Sequence, residues 1–183
     1  MPPEPAPFDP QRILEVLARH QVQYVVIGGY AAVLAGVDVV TRDIDITPAT
    51  DEANLQRLAD ALSELHAAIR VRIGEPPVPL PADPRLLARA EIWNLTTDAG
   101  DLDVTTRPSG TTGYDDLAGG AYRQPLADSG LHIAIASLED IIRSKTAAGR
   151  AKDLATLPQL RAARERQRES ADAAGRGGSR GEQ

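Results

Sequence analysis

The chain has 183 residues, 42% of them hydrophobic but only 3% aromatic, no cysteine, and a net charge of −6 at pH 7. That length suits one domain with a core of Ala, Leu, Ile and Val, and the missing cysteine excludes disulfides, thiolate metal sites and a cysteine nucleophile. No apolar run approaches the roughly 20 residues of a membrane span, and the opening MPPEPAPFDP has neither a basic nor an apolar segment, so a cytoplasmic protein that does not engage a membrane is expected.

In chain order, residues 1–8 are proline-rich and expected to be flexible, and the domain is expected to span 9–169. Asp9 and Pro10 form an N-cap and first-turn pair for a helix to about His20. VQYVVI reads as a buried strand, Gly28 and Gly29 as a bend, and YAAVLAG as a short helix ended by Gly36. TRDIDIT is the next strand, closed by Pro48, and Asp51 to about His66 is a helix because Leu55, Leu58, Leu62 and Leu65 recur at helical spacing. AIRVRI is read as a strand and EPPVPLPADP as a loop, followed by a hairpin, EIWNLTTDAGDLDVTTR, turning at Asp98-Ala99-Gly100. AYRQPL and LHIAIA are further strands. Ser137 with Asp140 forms a capping box for the helix LEDIIRSKTAAG, a last helix covers about Lys152 to Arg168, and residues 170–183 have nothing to bury and are expected to be disordered. The pattern predicts an α/β or α+β domain, a mixed and largely sequential sheet flanked by helices, with helices at the C-terminus.

Charge is unevenly distributed. From Arg143 onward ten Lys/Arg stand against five Asp/Glu, a local +5, which leaves −11 on residues 1–142. An acidic body binds polyanions poorly, so nucleic acid would meet the C-terminal arm, although RAARERQRES also suits a solvated helix face.

Side chains alternate along a strand, so Asp43 and Asp45 share one face while Ile44 and Ile46 point to the core. In GDLDVTT, Asp101 and Asp103 are set against Leu102 and Val104 in the same way. If those faces meet, the carboxylates repel unless protonated or neutralised by a cation. Oxygen donors without His or Cys select Mg²⁺ or Mn²⁺, and two such ions about 4 Å apart would clamp a phosphoryl group. A glycine pair between strand and helix lets backbone N–H groups approach an anion.

VIGGYAAVLAG, TRDIDI and GDLDV together resemble the nucleotidyltransferase superfamily of the DNA polymerase β type, and SLEDIIRSKTAAGRAKDLATLPQL is similar to a late motif of its AbiEii/MenT-like toxin branch. The resemblance spans about residues 20–160. It implies that Asp43 and Asp45 bind metal, that Asp103 completes the triad, that Gly28 and Gly29 hold a triphosphate, and that Lys145 and Asp153 lie near the nucleotide. Where many members carry an arginine before the D-x-D strand, Val39 stands here, leaving Arg42 as the nearby cation. The implied activity is Mg²⁺-dependent transfer of a nucleoside monophosphate from an NTP to an acceptor hydroxyl, with the tRNA 3′ end as acceptor, in a toxin with a cognate antitoxin protein. The contrasting reading is a protein-binding partner of this fold with little activity, or an enzyme acting on a small molecule or a protein.

Other residues admit plainer roles. Asp101, beside the turn glycine, reads as a turn residue. Lys145 and Arg150 also suit a helix C-terminus, and Asp153 a helix start. His20, His66 and His132 show no ligand spacing, and Trp93 and Tyr30 read as packing residues.

Overall fold

Helix ends follow their capping residues. The Asp9 carboxylate accepts the Arg12 N–H at 3.0 Å and Pro10 opens α1 (Pro10–Arg19), which buries Ile13, Leu14 and Leu17 completely. The chain then runs through β1 (Tyr24–Ile27), α2 (Gly28–Leu34), β2 (Asp43–Pro48) and α3 (Glu52–Glu64). Asp51 caps α3 by accepting the Asn54 N–H at 2.9 Å. The fully buried Asn54 side chain donates to the carbonyls of Gln23 (2.9 Å) and Ala49 (2.8 Å), tying α3 to the ends of β1 and β2. The computed structural model describes residues 7–71, 75–126 and 129–177, with side chains as far as residue 173.

Two short strands, β3 (Ala68–Ile69) and β4 (Val78–Pro79), and a single turn, α4 (Pro84–Leu87), lead into the hairpin β5 (Ile92–Thr97) and β6 (Gly100–Thr105). After α5 (Tyr114–Gly120) come β7 (Tyr122–Pro125), β8 (His132–Ile135), α6 (Leu138–Ala148) and α7 (Ala151–Gly177). The eight described strands form one sheet in the order β4-β3-β5-β6-β2-β1-β8-β7. Ile44, Ile46, Leu95 and Leu102 are completely buried in one continuous core shared with α1 and α3. This is a single mixed α/β domain, as the sequence pattern predicts.

Several expectations need correction. The sheet is sequential only within its pairs β3/β4, β5/β6, β1/β2 and β7/β8: β2 lies between β1 and β6, and β1 pairs with β8, because β2 and β6 both carry an apolar face that a central position buries. Among the described residues AIRVRI pairs at Ala68–Ile69, with Val78–Pro79 alongside as an edge strand; residues 72–74 lie outside the described residues. In the N-terminal segment, Phe8 packs edge-on against Tyr30, ring centroids 6.2 Å apart, and the Asp9 N–H donates to the Ala99 carbonyl at 2.9 Å, so the fold begins before residue 9. At the other end α7 runs past Arg168 to Gly177, since ESADAA contains no helix breaker; residues 178–183 lie outside the described residues.

Candidate functional site

β2 and β6 run parallel with Asp43 opposite Asp101 and Asp45 opposite Asp103. Residues opposite one another in register point the same way, so four carboxylates share one sheet face, flanked by Ile27 on β1 and Asn94 on β5. The Thr41 hydroxyl donates to Asp43 Oδ1 at 2.7 Å. Arg70, just after β3, spans two aspartates: Nη1 donates to Asp101 Oδ2 at 2.5 Å and Nη2 donates to Asp103 Oδ1. Asp101 is therefore a strand residue holding a guanidinium, which corrects its reading as a turn residue.

Asp45 makes no ion pair among the described residues. Burial above all, then the charges of Asp43 and Asp103, push its carboxyl up to about 7, with Lys145 and Lys152 opposing. Asp103 is also raised, by burial first, with Arg70 opposing and Asp43 adding to the rise.

These neighbours require a glycine at position 28 and crowd position 29. Gly28 has φ +67°, and a Cβ there would lie 2.1 Å from Asp45 Oδ2. At Gly29 a Cβ would lie 3.0 Å from the Thr41 hydroxyl. The bend thus admits Asp45 and Thr41 against the backbone and leaves the space above it open.

That space is a cleft of about 550 Å³ between the carboxylate face and α6 and α7. Gly28, Gly29, Arg42, Asp43, Asp45, Asp103, Lys145 and Asp153 all line it, so every residue expected at the site meets there; Asp101 and Arg70 do not line it. Lys145 Nζ donates to Asp153 Oδ1 at 3.0 Å and Arg150 Nε donates to Oδ2 at 2.5 Å. Asp153 is 2% exposed; burial pushes its carboxyl up, but the bonds from Arg150 and Lys145 outweigh this and hold it below the ordinary range. It ties the start of α7 to the last turn of α6 and steadies Lys145 at the cleft wall.

Among the described residues, no three acidic or histidine side chains converge closely enough to enclose an ion. Asp103 is held by Arg70 and Asp43 by Thr41. Arg42 and Arg107 line the cleft, are exposed, and have no ion-pair partner among the described residues. Sequence reasoning missed Thr41, Arg70, Asn94 and Arg107. The polar positions of AIRVRI and WNLTT hinted at a wet face, but nothing local says that β5 flanks β6 and that β3 lies on the far side of β5.

The remaining expectations concern packing. His20 pairs with Glu64 and His66 with Asp98, both at the surface. Trp93 Nε1 donates to the Leu87 carbonyl at 3.2 Å, and Tyr30 packs on the core beside Phe8. Among the described residues no helix is long and apolar enough to cross a membrane.

No family model matches the chain, and no curated protein does. Among solved structures, the lincosamide antibiotic adenylyltransferase LnuA with lincomycin bound is 17% identical, with a TM-score of 0.54, over 82% of this chain and 92% of that one. A Thermotoga maritima protein provisionally described as a nucleotidyltransferase is 23% identical, over 81% of this chain and 87% of that one, with a TM-score of 0.49. The likeness to LnuA is one of fold, and it agrees with the mixed α/β architecture described above.

Proposed function

We propose that the chain transfers a nucleoside monophosphate from an NTP to an acceptor hydroxyl in the presence of Mg²⁺ or Mn²⁺. The observation that carries this reading is the parallel register that sets Asp43 and Asp45 beside Asp103, under the Gly28-Gly29 bend and facing a cleft walled by Lys145. Oxygen-only donors on a mutually repelling face fit a hard divalent cation, held by Asp43 and Asp45 and joined by Asp103 once it leaves Arg70. Such a cation would neutralise phosphate charge and lower the pKa of the acceptor hydroxyl.

The chain's own groups divide the remaining work. Gly28 and Gly29, lacking side chains, let the phosphates approach the backbone. Asp103 accepts the proton of the attacking hydroxyl. The acceptor oxygen bonds to the α phosphorus, the bond to the β-phosphate oxygen breaks, and Lys145 stabilises the charge of the departing pyrophosphate.

For the acceptor we favour the 3′ end of tRNA, with the protein acting as a toxin restrained by a cognate antitoxin. Support comes from the exposed Arg42 and Arg107 at the cleft and the +5 charge of the segment from Arg143 onward, which suit a polyanion better than a cationic small molecule. The test is to incubate the protein with Mg²⁺ and each α-labelled NTP, together with total RNA, total protein or lincomycin. Label should pass to RNA, vanish with Asp45→Ala, and fall about 10²-fold or more with Asp103→Asn. Label in lincomycin or protein would replace the RNA acceptor; no transfer from any NTP would end the enzymatic reading.

A further inference from the structure

Arg70 is the one strong cation bonded to the β6 aspartates among the described residues, and it approaches them from outside the cleft. Its fork bridges Asp101 and Asp103, two residues apart on one strand. Its backbone N–H donates to the Asn94 carbonyl at 2.9 Å, which anchors it to β5. Of the three groups only Asp103 lines the cleft. Asp103 therefore stands at a boundary, with an arginine on one side and the space bordered by Asp43 and Asp45 on the other.

We infer that Arg70 is a positioning residue that holds Asp103 back from the cleft until a divalent cation arrives, with Asp101 keeping the guanidinium in place when Asp103 leaves. This rests on the reading of Asp103 as an ion ligand. The physical reason is competition for one carboxylate. A guanidinium that bridges two carboxylates fixes the direction of each, so the Asp103 Oδ1 that accepts from Arg70 cannot at the same time complete an ion's shell together with Asp43 and Asp45. Asp101 has no place in the cleft, and its use is to give the displaced arginine a partner, so that no uncompensated charge is left behind.

Charge and fork geometry can be separated by substitution. Arg70→Lys keeps the positive charge and loses the fork; Arg70→Gln loses both. The side chain is 31% exposed, so the lysine variant is accommodated, and a thermal melt confirms folding of each protein. Binding of Mn²⁺ alone is followed by the electron spin resonance of the free ion, with no nucleotide present, in the wild type, both Arg70 variants, Asp103→Asn, and Arg70→Lys combined with Asp103→Asn. Arg70→Lys should bind Mn²⁺ about threefold or more tightly than the wild type, and the gain should disappear in the Asp103→Asn background. Wild-type affinity in Arg70→Lys beside tighter binding in Arg70→Gln would mean that charge alone matters and would overturn the proposal. A gain that persists without the Asp103 carboxylate would overturn it equally. If Asp103→Asn binds Mn²⁺ as well as the wild type does, or no protein binds it, the ion-ligand reading fails and the proposal with it.

Discussion

Gly28 and Asp45 share a space that holds one side chain, and the chain gives it to the carboxylate. The result is an acid raised to about 7 by burial and by Asp43 and Asp103. The unfolded value is near 4, so folding favours the neutral form. The contribution to stability is fully present below about pH 4 and is lost as pH rises towards 7. Metal-free wild type should therefore lose stability over that interval. Asp45→Asn, neutral throughout, should melt higher than the wild type in EDTA at pH 8, by on the order of 1 to 4 kcal/mol, and the advantage should shrink markedly at pH 5. Melting curves at the two pH values decide the matter, and an equal difference at both would show that Asp45 is not the strained group.

At the scale of elements, α7 is two helices in one. Its buried positions, Asp153, Leu157, Leu160 and Ala163, recur at helical spacing and face α6, whereas residues 165–173 are all exposed. Pro158 falls inside the packed half, where tertiary contacts offset the lost backbone bond. Leu157→Ala should cost about 2 to 4 kcal/mol in urea unfolding, while truncation after Glu169 should cost less than about 0.5 kcal/mol. A large loss from the truncation would reveal contacts for the distal half. Sequence periodicity located α1, α3 and α6 because each has a capping aspartate or serine and an apolar stripe. It placed the end of α7 too early because an exposed alanine-rich stretch carries no stripe to read.

Across the whole molecule, the basic C-terminal segment is partly committed to the protein itself. Arg168 pairs with Glu139 of α6 and Arg164 lies 4.0 Å from it, while Arg161 and Arg166 are exposed with no ion-pair partner among the described residues. If this arm guides an RNA acceptor, neutralising Arg161 and Arg166 should flatten the log–log salt dependence of RNA binding by about two units and leave NTP affinity unchanged. Neutralising Arg164 and Arg168 should mainly lower the melting temperature. A salt slope unchanged by the first pair would remove the arm from acceptor binding.

Alternation alone assigned the aspartates of DIDI and GDLD to the polar side of their strands, and the glycine pair to the bend before α2, because those relations are set by neighbours two or three residues away along the chain. Which strands lie side by side was decided only by tertiary structure. Placing β2 against β6 in parallel register set Asp43 beside Asp101 and Asp45 beside Asp103, turned Asp101 from a turn residue into an anchor for Arg70, and brought Lys145 across the cleft from residues a hundred positions earlier. Such pairings follow from burying the apolar backs of β2 and β6 in one core, a condition on the whole chain that no local period records.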